Sequence, residues 1–278
     1  MNRDEFKKEI QQAYPEKIKE YEKFCYYQDI VVDTLKMFVD ICNKNSIPYQ
    51  LAYGSLLGAV RDEGQIPWDY DIDVFVPYTY RKKLVDALNS LPSDYYFEGI
   101  ESNVKYSSYI MRVAPKAFDS EFLHVDIFFL VGSVKDEDKR REHTKKIIEL
   151  YLNRYYKFVH VLKQTGWHFR SFIKLFWKKL QYRHVDLNIN DRLFFKELSR
   201  YEKDKEVYIT GDRFADYYVF PLTIIDTIEI GGFDMKLSVP KKYDAILEEI
   251  YGDYMTIASL EERIAEFQKH LHALERNL

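Results

Sequence analysis

Apolar residues recur at helical spacing through the first part of the chain. Val31, Leu35, Phe38, Val39 and Cys42 share one face, with Asp33, Lys36 and Asp40 elsewhere, which predicts helix from the start to about residue 44. Asn43-Lys44-Asn45-Ser46 and then Ile47-Pro48 supply the stop. Tyr49 to Tyr53 reads as a short strand, and Leu56, Leu57, Ala59 and Val60 as a brief helix ending near Gly64. A period of two then takes over. In Asp71-Ile72-Asp73-Val74-Phe75-Val76 it sends Asp71, Asp73 and Phe75 to one face and Ile72, Val74 and Val76 to the other. Tyr78 to Leu91 predicts a helix with Leu84, Val85 and Leu88 inward, closed by Pro92, and Ser107 to Val113 predicts a strand. Phe122 to Leu130 is the most apolar strand candidate, with one carboxylate, Asp126, in its middle. Helical patterns follow at Lys135 to Tyr156 and Asp191 to Lys205, short strands from Tyr217 to Pro240, and closing helices at Tyr243 to Ile250 and Leu260 to Leu274.

Composition changes this picture little. With 278 residues, 46% hydrophobic and 31% charged, the chain has enough apolar sequence for a large core and no sign of long disorder. A formal net charge of −4 gives no general signal for nucleic acid, so no nucleic-acid partner is expected. The 24 Tyr and 19 Phe suit either an aromatic-rich core or a wet groove. Cys25 and Cys42 show neither metal spacing nor a disulfide framework and are expected as buried free thiols. The opening MNRDEFKKEI lacks an apolar signal core and no run has the length of a membrane span, which together suggest a reducing, cytoplasmic protein. One stretch differs. His160 to His184 mixes Lys163, Arg170, Lys174, Lys178, Lys179 and Arg183 with Trp167, Phe169, Phe172, Phe176 and Trp177. That composition suits a helix lying in a membrane interface on the inner face of the plasma membrane; an aromatic stripe packed on the core with a solvated basic back is the commoner arrangement.

The candidate chemistry gathers between Tyr53 and Pro77. Residues two apart on a strand project side by side, so Asp71 and Asp73 form a paired carboxylate. Two such charges repel unless a cation lies between them or one stays protonated, and hard oxygen ligands suit Mg²⁺. Gly54 permits close backbone approach, and Ser55 offers a hydroxyl and a helix-start amide, so the two make either a small anion site or an ordinary cap. Arg61 is a phosphate clamp or a surface charge. A charge inside a run as apolar as Phe122 to Leu130 is costly unless compensated, which favours Asp126 as a third ligand beside Asp71 and Asp73 over a structural Asp at a strand edge.

Tyr53-Gly54-Ser55-Leu56-Leu57-Gly58-Ala59-Val60-Arg61, followed by Ile66-Pro67-Trp68-Asp69-Tyr70-Asp71-Ile72-Asp73, resembles the signature of the LicD/fukutin family, whose bacterial members read GTLLGAVR and then IPWDDDIDI. Ser55 replaces Thr, and Tyr70 replaces the central Asp. Val125-Asp126-Ile127-Phe128 resembles the later IDIFPLD motif, with Phe129 and Val131 departing from its Pro and final Asp. Val239-Pro240-Lys241-Lys242-Tyr243 and Tyr251-Gly252-Asp253-Tyr254-Met255 resemble the family's closing pattern.

The resemblance implies an α+β, nucleotidyltransferase-like fold: a small mixed β-sheet flanked by helices, with a helical insertion and C-terminal helices. On that basis residues 28–132 form the catalytic core of a single unit, 133–216 a helical insertion on the acceptor or membrane side, and 217–278 the strands and helices that complete the fold. Family members transfer phosphocholine or a phospho-alditol from a CDP-linked donor to a sugar hydroxyl, releasing CMP, on cell-surface glycans or their lipid-linked precursors. The expected site follows. Asp71, Asp73 and Asp126 hold Mg²⁺ (or Mn²⁺), and Asp126 also accepts the hydroxyl proton. Gly54 and Ser55 hold donor phosphate, Arg61 and Arg112 neutralise the leaving CMP, Asp69 contacts substrate or supports the ligands, and Trp68 walls the pocket or packs the core. Rival expectations are an Asp-X-Asp glycosyltransferase using a nucleotide sugar, a true nucleotidyl transfer, and a non-catalytic scaffold at a membrane face.

Overall fold

The computed structural model describes residues 1–118, 122–162, 169–211 and 217–276. The chain divides into two compact units. The first joins Met1–Phe97, Arg112–Phe128 and Thr223–Leu278; the second joins Glu98–Met111 and Phe129–Leu222.

Helix α1 (Arg3–Ala13) starts on a capping box: the Asn2 side chain accepts from the Glu5 N–H while the Glu5 carboxylate accepts from the Asn2 N–H. Pro15 opens a single 3₁₀ turn and α2 (Ile18–Lys44) follows, so the expected N-terminal helix is two helices broken at a proline. Val31, Leu35, Phe38 and Cys42 are fully buried on the predicted face of α2. Strand β1 (Gln50–Leu51) pairs antiparallel with β2 (Ile72–Pro77), Gln50 opposite Phe75 and Leu51 opposite Val74. Between them lies α3 (Tyr53–Arg61). Tyr53, expected to end a strand, already opens this helix, and does so in the left-handed region at φ 43°. Helix α4 (Arg81–Leu88) buries Leu84, Val85 and Leu88 as its spacing requires. Strands β3 (Tyr95–Glu98), β4 (Met111–Pro115) and β5 (Val125–Ser133) complete a sheet ordered β1-β2-β5-β4-β3. The fold is α+β.

Past Phe128, β5 continues into the second unit. There Val131, Gly132 and Ser133 pair antiparallel with Ile209, Tyr208 and Val207 of β6 (Val207–Thr210), which pairs in turn with β7 (Tyr218–Pro221). All four residues of β6 are buried. A short strand covered on both faces carries no alternation, which is why the pattern of the sequence does not reveal it. Helices α5 (Glu137–Phe158), α6 (Phe169–Tyr182) and α7 (Leu187–Leu198) accompany these strands. Helix α7 starts and ends earlier than the sequence suggests, because Asp186 caps it by accepting from the Asn188 and Ile189 N–H groups. The fully buried Arg154 of α5 ties the unit together. It donates to the Val104 and Tyr106 carbonyls at 2.7 and 2.8 Å and pairs with Asp191 at 2.7 Å. In α6 the sequence's commoner expectation is reversed: the aromatic stripe is exposed, while Lys178 and Lys179 turn back onto Tyr156 and the Val159 carbonyl. Lys163 and Trp167 of that stretch lie outside the described residues.

The chain returns to the first unit with a hairpin of β8 (Thr227–Gly232) and β9 (Met235–Pro240). Its two turn residues, Phe233 and Asp234, sit at φ 53° and 58°, the type I′ geometry that matches strand twist. Helices α8 (Tyr243–Tyr251) and α9 (Leu260–Glu275) close the fold, the latter on a second capping box between Ser259 and Glu262. Phe6 packs edge-on against Tyr21, Trp68 and Phe267 at 5.1, 5.4 and 6.3 Å, so part of the aromatic surplus forms the core that binds α1, α2 and α9 to the loop before β2. Among the described residues, no helix is long and apolar enough to cross a membrane.

Gly58 holds α3 against the loop that precedes the carboxylates. A Cβ there would lie 2.5 Å from the Gly64 carbonyl oxygen and 2.9 Å from the Ile66 nitrogen, whereas one at Gly231 would meet nothing within 4 Å. Gly58→Ala is therefore expected to cost about 1–3 kcal/mol and lower the Tm by about 2–10 °C. Gly231→Ala should leave it nearly unchanged. Thermal melts of the two variants side by side check this, and equal Tm values would contradict the tight α3 contact.

Candidate active site

The first unit fixes the backbone of Asp69 to Asp73 before any side chain is considered. The Asp73 N–H donates to Ser55 Oγ at 2.8 Å, and the Asp73 carbonyl accepts from the Ala52 N–H at 3.0 Å. Gln65 Nε2 donates to the Asp71 carbonyl at 3.3 Å. Gln28, fully buried on α2, donates from Nε2 to the carbonyls of Ile66 and Asp69 at 3.1 and 2.6 Å. The Gly-Ser turn thus works partly as a scaffold for the strand, with the Ser55 hydroxyl proton still to be given.

The side chains then crowd. Asp69 Oδ1 accepts from the Tyr70 N–H at 2.9 Å, and Oδ2 lies so near Gly54 that a Cβ there would come within 3.2 Å of it. The acid lying against the start of α3 is the chain's own Asp69. Burial, then the charges of Asp71, Asp126 and Asp69, push the Asp73 carboxyl well above the usual range, with Arg112 opposing them. Burial and the charges of Asp69 and Asp126 push Asp71 up to about 7. Burial also raises Asp69. Asp126 behaves differently. Burial alone would raise it, but His124 and Arg112 outweigh burial and hold it below the usual range. Arg112 Nε donates to Oδ1 at 2.7 Å and His124 Nε2 meets Oδ2 at 3.1 Å, one partner for each oxygen.

The sheet order explains the convergence. With β5 beside β2 and β4 beside β5, Asp126 faces the Asp71/Asp73 pair while Arg112 reaches it from the other side. Asp71, Asp73, Asp126, Asp69 and Arg112 are thus brought together, with Gly54 and Ser55 beneath them. Arg61 is not. It forms an ion pair with the buried Asp62 at 2.8 Å and donates to the Tyr254 carbonyl at 3.3 Å. Trp68 packs on Phe6 and against the guanidinium groups of Arg61 and Arg263 at 5.7 and 5.5 Å. Asp126, expected as metal ligand and proton acceptor, is ionised with both oxygens already partnered.

Three contributors escape the sequence reading. His124 precedes Asp126 by two, the spacing that places strand side chains on one face, and that spacing is the signal that could have found it. Its Nδ1 is buried without a hydrogen-bond partner. Tyr70 stands among the acids, and burial followed by the charges of Asp71, Asp69 and Asp126 raises its phenol strongly. His270, from α9, packs on the Tyr70 ring at 4.8 Å and meets the Trp68 carbonyl at 3.0 Å.

Oxygen donors that are deep, adjacent and mutually repelling suit a hard divalent cation. Asp71 and Asp73 answer that description; Asp126 has a cationic or imidazole partner on each oxygen. Among the described residues, no three His, Cys, Asp or Glu side chains are gathered so as to hold a metal ion by themselves.

The α+β architecture with its mixed central sheet is consistent with a nucleotidyltransferase-like fold. Residues 46–160 match the family model of the LicD/FKTN/FKRP nucleotidyltransferase domain. It is 38% identical over 60 residues to the lipopolysaccharide cholinephosphotransferase LicD of Haemophilus influenzae, covering 22% of this chain and 23% of that protein. It is 30% identical over 120 residues to an uncharacterized protein of Rickettsia prowazekii, covering 43% of each. The chain thus spans under half the length of the curated relatives it matches.

The crowding has a measurable sign. Asp71 titrates near 7 when folded and near 4 when unfolded, and Asp73 is also raised. Between those values the folded state holds protons that the unfolded state has lost, so stability falls as pH rises through about 4 to 7. In metal-free buffer, Asp73→Asn is expected to raise the Tm at pH 7.5 and to change it little at pH 4. A Tm at pH 7.5 equal to or below wild type would remove the repulsion from the account.

Proposed function

We propose that the chain transfers a phospho-substituent, phosphocholine or a phospho-alditol, from a CDP-linked donor to a hydroxyl of a cell-surface glycan or its lipid-linked precursor, releasing CMP. The observation that carries this reading is the uncompensated pair Asp71 and Asp73 beside a clamped Asp126 and Arg112, inside the segment that matches the family. The similarity to a lipopolysaccharide cholinephosphotransferase supports this substrate class. Asp71 and Asp73 would hold Mg²⁺ (or Mn²⁺), which when bound neutralises pyrophosphate charge and orients the reacting phosphorus.

The remaining parts fall to the chain's own groups. In-line attack at the distal phosphorus needs position and charge neutralisation more than covalent help. Arg112 supplies fixed positive charge beside the acids, and Asp126 with His124 fixes where that charge lies. The Ser55 hydroxyl and the first amides of α3 orient donor phosphate. Asp69 anchors the loop and lines the site. Asp126, held ionised by His124 and Arg112 against the effect of burial, is in the form that can accept the attacking hydroxyl's proton.

Incubation with CDP-choline, CDP-ribitol and CDP-glycerol, each with Mg²⁺ and a glycan acceptor, is expected to release CMP. A parallel panel of nucleotide sugars should not turn over. Asp73→Ala should cut the rate on the order of 100-fold or more while the chain stays folded. Turnover confined to nucleotide sugars, or an undiminished Asp73→Ala variant, overturns the proposal.

A further inference from the structure

Helix α6 has no buried residue. Phe169, Ile173, Phe176 and Trp177 fall at i, i+4, i+7 and i+8, one face of the helix, and are 73%, 38%, 44% and 66% exposed. The opposite face packs within the second unit. Lys178 Nζ donates to Tyr156 Oη at 2.8 Å, Lys179 Nζ to the Val159 carbonyl at 2.8 Å, and the rings of Tyr156 and Tyr182 lie 5.1 Å apart. These bonds settle which way the helix is turned. Two lysines face α5, and the large apolar side chains face water.

Leaving that stripe bare is unfavourable, so something apolar covers it. The charge around it selects what. No Asp or Glu occurs from His160 to Val185, while Arg170 and Lys174 line the edge of the stripe and Arg183 follows the helix, all exposed. Two copies meeting face to face through α6 would bring like charges together. An anionic bilayer instead offers acyl chains for the aromatic residues and headgroup charge for the guanidinium and ammonium groups. The 14 residues of the helix span about 21 Å, too short to cross a bilayer but suited to lying in its surface. Trp177, with an apolar body and one N–H donor, suits the headgroup boundary.

We propose that α6 is an interfacial helix that docks the second unit onto an anionic lipid bilayer, with Phe169, Ile173, Phe176 and Trp177 inserted and Arg170 and Lys174 at the headgroups. This holds independently of which group the first unit transfers. Because the stripe is exposed, replacing it should not disturb folding.

The test is co-sedimentation of the full chain with vesicles of phosphatidylcholine alone and of phosphatidylcholine with one-quarter phosphatidylglycerol. Binding to the anionic vesicles should be at least tenfold tighter and should weaken as salt rises. Phe176→Ser/Trp177→Ser should lose at least tenfold in affinity at unchanged Tm, and Arg170→Glu/Lys174→Glu should abolish the preference for anionic lipid. Absence of binding, equal binding to both vesicle types, or a double-serine variant that binds as well as wild type overturns the proposal. So does a concentration-dependent dimer, by sedimentation without lipid, that the double-serine change converts to monomer, since the stripe would then belong to a second copy.

Discussion

Negative charge that has nowhere to spread is the constraint on which the first unit turns. Four carboxylates, Asp69, Asp71, Asp73 and Asp126, act on one another at close range in a half-buried region, and of the four Asp126 is the one held below the usual carboxylate range. Asp126 has an arginine on one oxygen and a histidine on the other; the Asp71 and Asp73 carboxyls stay raised despite the opposing charges of His124 and Arg112. Such an arrangement is unfavourable for an empty protein. It becomes favourable once positive charge enters, and this asymmetry is a common mark of a site built for a ligand rather than for rigidity.

Holding acids together against their repulsion requires a stiff frame. The frame is made of backbone bonds: Ser55 and Ala52 on Asp73, Gln65 on Asp71, Gln28 on Asp69. Gly58 serves the same end by letting α3 and the following loop touch without a side chain between them. Local strain at Tyr53, in the left-handed region, accompanies this tight junction of strand and helix.

Much of this was legible in the sequence where a physical rule acts on neighbours. Alternation placed Asp71 and Asp73 on one face, and the cost of a charge inside an apolar run singled out Asp126. What was not legible depends on partners distant in the chain. Arg61 reads as a free cation beside a Gly-Ser turn, yet it pairs with the adjacent, buried Asp62, which also meets the Met1 ammonium at 3.1 Å, and it donates to the distant Tyr254 carbonyl. Arg112 reads as a phosphate ligand, and only the strand order shows that it grips Asp126. Trp68 reads equally as pocket wall or core, and its packing on Phe6, sixty-two positions earlier, could not be read from its neighbours. Helix α6 shows a different limit. Composition reveals a basic, aromatic-rich stretch but not which way its aromatic residues face, and two lysine hydrogen bonds settle that here.

The Gln28 amide has a consequence for how the family segment should be regarded. The stretch with family likeness starts at residue 46, but the amide that clasps the carboxylate loop comes from α2. The ring that abuts Tyr70 comes from α9, near the other end of the chain. The recognisable motif is therefore not an autonomous piece. An excised 46–160 would keep every acid and lose the clasp that sets their spacing, so what is inherited as a signature has to be folded as a much larger body.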